Sequence, residues 1–547
     1  MLAGVIFLRK TPTEKLLHEL FSRLKAELFV LRETGIFVSE NSRIWKCIPV
    51  LRHGVIDFSA LKMLYNSPRW GSNYGCHLCT LPGRRSGRRI YWFARTPYPR
   101  RTHTSILSDA VASRNGMNGH TQMMDLFTME QCHPDALHII SEGVTCNLFK
   151  EMFGRAGTVP ELVVKREFLP DLCFTIERAT NYTYASKFVL GIQDFSTTTA
   201  SEKDALMFVL FPLVAAHQLC ADPLGTGLLP PLVSYWILVR FVEKNRELKD
   251  EHIPVIRGFA YAMKFLWCEV SKTLFTLKTH CLLDHALIED LATEGSPYQY
   301  SSSGFESIHR RLQLRTAQGM QCKIFYMISI GLVFVLSFVM RKEFINAMET
   351  EAKNTNNPQF LALYEKMRTA ALNRMPVHVK LNSSWYVPCF SSIPFQTLLE
   401  DHQRFLLSYQ RDWEFSSRMC CNGTVFSSRF YWKRRSDTTQ DCVVLAEEDG
   451  VAFGIVIAFA FETHFSGSHV FLEELTTEDP FGDLQNLIRN GPGRGRLRAL
   501  SALNLVQQHN KFFKRVTSSR LAIRNTFDII SPAILLHYSS ADYVSRI

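Results

Sequence analysis

The thiol pair Cys76-His-Leu-Cys79 and, downstream of it, Asp135-Ala-Leu-His138 constrain this chain more than any other feature. Two sulfurs at CxxC spacing supply half of a tetrahedral zinc site, so the loop that carries them must close on ligands brought from elsewhere in the fold. His138, His133, Cys132 and Asp135 are the candidates to complete the tetrahedron, and a buried pair of ordinary thiols is the alternative. Asp135 and His138 also have a local reading. An acidic residue is favoured at a helix start, and a histidine three residues on can hydrogen-bond to it.

The segments around these motifs alternate in type. Met1 to Leu8 reads as a strand, and Thr11-Pro12-Thr13-Glu14 has the form of a capping box with proline at the first helical position. Leu16, Leu17, Leu20, Leu24, Leu28 and Leu31 follow at helical spacing until Gly35, which predicts a helix over about 12–34. Ile44 to Ile56 reads as a second strand that delivers Asp57 at its C-terminal end, where a side chain can leave the sheet and meet a ligand. Strand, helix, strand, carboxylate is an α/β signature. Residues 66–122 are rich in Gly, Arg, Pro and Ser and read as loop, and a helix is expected from near Asp135 through Leu148 and Phe149.

Ala205 to Leu219, Leu232 to Glu247 and Ile253 to Leu277 predict an all-α block. Beyond about residue 380, aromatic and β-branched runs predict a small β domain, with Cys442 to Ala446 and Val451 to Phe461 flanking the turn Glu447-Glu448-Asp449-Gly450. The tail from Asn490 reads as basic and flexible, then partly helical. The boundaries implied are 1–145, 146–275, 276–375, 376–470 and 471–547.

An apolar content of 46% in 547 residues is that of a multi-domain globular protein. The net charge of +11 is concentrated in Arg84, Arg85, Arg88, Arg89, Arg95, Arg100 and Arg101, a pattern that suits a phosphate backbone. A solvated basic loop is the alternative. Fourteen scattered cysteines and the lack of a basic segment ahead of the apolar Met1–Leu8 run predict reduced thiols, no secretion and an intracellular location. Ile324 to Met340 is uncharged and reaches the lower limit of about 17–25 residues for a membrane span. Ser329, Gly331 and Ser337 within it favour a buried helix over a single-pass anchor.

Asp57 and Glu306, in Ser302-Ser-Gly-Phe-Glu306-Ser-Ile-His309, are carboxylates of the kind that hold paired Mg²⁺ or Mn²⁺ ions for phosphodiester hydrolysis. With them in place, the chain resembles the CACTA-type (En/Spm-like) DNA transposases, animal type. The resemblance rests on Gly54-Val-Ile-Asp57-Phe-Ser-Ala60, Asn73-Tyr-Gly-Cys76-His-Leu-Cys79-Thr-Leu-Pro-Gly83 and Pro134-Asp135-Ala-Leu-His138 through Val144. It extends to Thr279-His280-Cys-Leu-Leu-Asp284 through Glu306, and to Asn422-Gly423 through Tyr431 at the start of a C-terminal β module.

The resemblance implies a partial RNase H-like (DDE-type) core with an all-α insertion, DNA as partner, a homo-oligomer, and Mg²⁺ or Mn²⁺ in an active member. It makes Asp57 the second of three catalytic acids and Glu306 the third, and places the first upstream of residue 1. The expectation is therefore a transposase-derived DNA-binding protein, truncated and catalytically deficient. Two alternatives stand beside it: an active transposase using Asp57, Asp125 or Asp135, and Glu306; and a membrane-anchored or scaffolding protein.

Overall fold

The computed structural model describes residues 13–40, 43–48, 54–154, 158–178, 192, 199–221, 229–303, 379–381, 384–388, 399–409, 413–421, 424–429, 441–448, 450–462, 467–481, 496–538 and 541–546. The strand expected at Met1–Leu8, Glu306, and the apolar run Ile324–Met340 lie outside them. Among the described residues no helix is long and apolar enough to cross a membrane. The fold is mixed α/β and divides into two compact units, the first formed by Met1–Val164, Gln193–Ser302 and Leu484–Gln508, the second by Lys165–Ile192, Ser303–Asp483 and His509–Ile547.

In the first unit, α1 (Glu14–Thr34) starts later than its sequence suggests: Thr13, not Thr11, is the N-cap, its Oγ1 accepting from the Leu16 amide at 3.3 Å. Gly35 ends the helix at φ +73°, a conformation that favours glycine. Leu17 and Phe21 of this helix pack on a methionine-rich core that includes Leu61, Tyr65, Ile106, Met123 and Met129. The strand expected over 44–56 is in two pieces. Its first half pairs in a hairpin, β1 (Ile36–Glu40) with β2 (Arg43–Cys47), and its end is the separate strand β3 (Gly54–Ile56). Asp57 follows β3 and caps α2 (Phe58–Tyr65), its Oδ1 accepting from the Ala60 amide at 2.6 Å.

The stretch read as loop holds a small hairpin, β4 (Arg84–Ser86) with β5 (Arg89–Tyr91), and α3 (His103–Val111), followed by α4 (Met123–Leu126). Next comes β6 (Cys132–Pro134), which pairs parallel with β3 in the register Ile56↔Pro134. Asp57 and Asp135 therefore leave the C-terminal ends of neighbouring parallel strands.

After β6 the chain does not enter an ordinary α-helix. Leu137–Thr145 is π-helical and passes into α5 (Cys146–Phe153). The wide turn makes Gly143 a close-approach position, because a Cβ there would lie 2.7 Å from the His138 carbonyl oxygen and 3.0 Å from the Lys278 side chain. Gly143→Ala is expected to destabilise the protein by about 1–3 kcal/mol, the usual cost of overpacking, despite alanine's better helix propensity. Chemical denaturation measures it, and an unchanged midpoint would refute it.

α6 (Leu169–Arg178) belongs to the second unit. The all-α block of the first unit is α7 (Ala200–Ala221), α8 (Leu229–Lys244) and α9 (His252–Val270), close to the segments expected from periodicity. Rings join this block to the core in a continuous series: Phe149–Phe211 at 5.3 Å, Phe211–Tyr235 at 6.3 Å, Tyr235–Trp267 at 6.0 Å and Trp267–Phe275 at 6.3 Å between centroids. Past α9 come α10 (Leu277–His280), a second π-helical segment, Cys281–Glu289, and α11 (Leu291–Glu294).

The second unit contains β7 (Val379–Leu381), β8 (Ser384–Pro388), α12 (Glu400–Leu407), β9 (Trp413–Cys421), β10 (Thr424–Ser427), β11 (Cys442–Glu447), β12 (Gly450–Glu462) and β13 (Ser468–Glu478). Past the helix α13 (Arg496–His509) it continues with β14 (Phe513–Asn525), β15 (Ile529–Tyr538) and β16 (Ala541–Arg546). β13 runs across residue 470, and the described part of 471–547 is mostly strand. The strands run in the order β11-β15-β16-β14-β13-β12, and β11 pairs back onto β12, closing a six-stranded antiparallel ring. Closure removes exposed edges, and all six strands contribute to one interior that includes Val444, Phe453, Leu475, Val516, Leu535 and Val544.

The turn expected at 447–450 lies between paired strands. Glu447 pairs with Gly450, and Cys421 with Thr424.

Candidate metal centre and adjoining cavity

Cys76 and Cys79 meet two histidines that lie 209 and 201 residues away. Cys76 Sγ is 3.4 Å from His285 Nε2, and Cys79 Sγ is 3.3 Å from His280 Nε2. All four ligand atoms lie within 4.8 Å of one another and all four residues are buried. The π-helical segment makes this possible. Residues five apart on an α-helix point about 140° away from each other, whereas a π turn, closed by i→i+5 bonds such as Asp290 N to His285 O at 2.8 Å, brings them to one side.

The residues fit a metal. A tetrahedral Zn²⁺ with sulfur at about 2.3 Å and nitrogen at about 2.0–2.1 Å sets adjacent ligands about 3.6 Å apart, close to the observed S···N separations. Each histidine also gives its other ring nitrogen to a carboxylate, His280 Nδ1 to Asp284 at 2.6 Å and His285 Nδ1 to Glu289 at 2.8 Å. That second layer fixes the ring so that Nε2 faces the centre. Lys264 in turn pairs with Asp284.

Without a metal, the four residues hold a thiolate beside imidazolium rings, and zinc binding would release the ring protons. Burial alone would raise the Cys76 thiol, but hydrogen bonds from Cys281 and Cys79 and the positive imidazoles of His285 and His280 hold it well below the usual thiol range. Against the opposing effect of burial, the Cys76 charge and the Asp284 carboxylate raise His280 to about 9.

The sequence candidates separate around this centre. His280 and His285 complete the tetrad in place of Cys132, His133, Asp135 and His138. His77, inside the CxxC turn, bonds through Nε2 to the Cys132 carbonyl at 2.9 Å, and burial lowers it to about 4, so it is a neutral strut between the loop and β6.

The basic cluster also divides. Arg101 is buried, with Nε 3.2 Å from the Cys76 carbonyl and 3.1 Å from that of Cys79. Arg100 pairs with Asp290 and reaches Glu289 at 3.3 Å. Arg89 pairs with Glu151. Burial places Arg101 within the fold, which corrects its assignment to DNA, while Arg89 and Arg100 keep about a third of their side chains exposed beside their carboxylate partners. Arg84, Arg85, Arg88 and Arg95 are exposed.

Asp57 lines a cavity of about 430 Å³ together with Trp70, Trp92, His138, Asn147 and Lys278. Asp135 is only 1% exposed and fully engaged: it accepts from the Leu137 amide at 3.2 Å, the Ser302 amide at 2.8 Å, the Ser302 hydroxyl and His138 Nδ1 at 2.6 Å. Burial would raise its pKa, but the bonds from His138 and Ser302 lower it. Asp125 is an exposed partner of His120 at 3.0 Å and does not line this cavity. Asp57 is thus the one of these three carboxylates that borders the cavity.

The signal for the missed histidines was present as a repeated pattern. His280 with Asp284 and His285 with Glu289 each place a carboxylate four residues after an imidazole. Compared with known proteins, the chain matches no family model, no curated protein and no solved structure.

Proposed function

We propose that this chain is a transposase-derived DNA-binding protein with a structural zinc centre, related to enzymes with an RNase H-like core and catalytically deficient. The carrying observation is the Cys76, Cys79, His280, His285 tetrad, which ties the CxxC loop to the histidine segment across the helical block. Support also comes from the parallel pair β3–β6, with Asp57 and Asp135 just past the strand ends.

The engagement of Asp135 and the surface position of Asp125 favour the deficient reading over the active one. An acid whose oxygens already accept from Ser302, Leu137 and His138 has little capacity left for a cation. Zinc in the tetrad would lock two distant segments together and supply no chemistry to a substrate.

The exposed arginines Arg84, Arg85 and Arg88 project from a short hairpin and suit phosphate contacts, which set position rather than sequence. Duplex DNA is expected to bind with strong salt dependence, and joint replacement of these three by alanine is expected to lower the slope of log affinity against log salt by about 3. Equal slopes would remove the hairpin from the interface. Labelled duplex incubated with Mg²⁺ or Mn²⁺ is expected to stay intact. Nicking that disappears in Asp57→Asn, which keeps the α2 cap acceptor, would establish the active transposase instead.

A further inference from the structure

We infer that the cavity beside Asp57 takes an unpaired nucleobase at a DNA end, stacked on Trp70; this rests on the DNA-binding reading above. Trp70 is 56% exposed although it is a large aromatic residue, and it forms part of the wall of a hollow of about 430 Å³. That volume lies within the range of small-ligand pockets, about 300–1,000 Å³. Trp92 gives the same hollow a second, buried indole, and Asn147 and His138 give it polar groups that can meet a base edge.

The surroundings argue for a nucleotide rather than a neutral aromatic ligand. Trp92 directly follows β5, so the hairpin bearing exposed Arg84, Arg85 and Arg88 leads straight into the wall of the hollow. A neighbouring cavity of about 240 Å³ shares Asn147 and Thr276 with the first and adds Lys150 and the Arg89–Glu151 ion pair to its walls. Cations that track a backbone, set beside an aromatic platform, are the combination that holds single-stranded nucleic acid. A base inside a duplex cannot reach such a platform without leaving its stack, so an already unpaired end is the form this hollow accepts at least cost.

The test compares a blunt duplex with the same duplex carrying a three-nucleotide single-stranded overhang, one overhang base being 2-aminopurine. The overhang is expected to bind roughly 10-fold more tightly than the blunt form, with a change in 2-aminopurine fluorescence, because stacking on an aromatic residue is worth about that ratio per base. Trp70→Ala is expected to abolish that ratio and Trp70→Phe to keep most of it, each variant's blunt-duplex affinity serving as its own reference. Equal affinity for both DNAs in the wild-type chain, or a ratio that survives Trp70→Ala, would overturn the inference while leaving DNA binding in place. Absence of binding to either DNA would overturn the DNA-binding reading and this inference with it.

Discussion

Removal of zinc is expected to unfold the first unit. One Zn²⁺ per chain should be found by elemental analysis, and strong chelation or Cys76→Ser should lower the thermal midpoint sharply. Structural zinc sites contribute about 10–16 kcal/mol of apparent binding energy at neutral pH, which matches or exceeds the whole stability of a typical domain, about 5–15 kcal/mol. With zinc bound, the four ligands would join the loop at 76–79 to the segment at 280–285, whose histidines are fixed by Asp284 and Glu289.

Asp284→Ala should keep the site but weaken it by about 10- to 100-fold, as loss of an outer carboxylate does elsewhere. Cobalt provides an independent readout, since a tetrahedral centre with thiolate ligands absorbs in the visible. A zinc-free preparation whose melting is unchanged by Cys76→Ser would show that the four residues are a buried polar cluster and nothing more.

Arg101→Ala is expected to cost about 3–5 kcal/mol, the penalty for breaking a buried charged network by removing one partner. The guanidinium bonds the carbonyls of Cys76 and Cys79, donates through Nη2 to the Asn115 carbonyl at 2.6 Å, and faces Asp109 at 3.4 Å. It thereby holds the CxxC turn in the shape that aims both sulfurs at the histidines. Arg101→Lys should be nearly as damaging, because an ammonium is a point charge and cannot reproduce the planar fork that spans these acceptors. Urea melts of both variants, with zinc content measured alongside, check this. If Arg101→Lys were as stable as wild type and only DNA affinity moved in Arg101→Ala, the residue would return to the interface where its charge alone had placed it.

The sequence by itself determined those parts that depend on neighbouring residues. Leucines at helical spacing and Gly35 mark α1; the turn at 447–450 marks a hairpin; and Cys76 with Cys79 marks half a metal site, because the needed geometry is local to each. Helices α7, α8 and α9 were legible for the same reason: their apolar runs are long enough to read as helix even though Pro212 lies inside α7.

What only the tertiary structure decided involves partners far apart in the chain. Two histidines more than 200 residues from the thiols become ligands through a π turn, which periodicity at 3.6 residues does not reveal. A basic cluster that looks uniform splits into one buried strut, Arg101, carboxylate-paired Arg89 and Arg100, and exposed arms, since charge in sequence says nothing about which guanidinium finds a carbonyl or a carboxylate. The strand expected at 44–56 breaks, and much of the supposed tail closes a barrel. Strand pairing is a long-range choice, made by whichever edges and apolar faces the rest of the fold leaves to be covered.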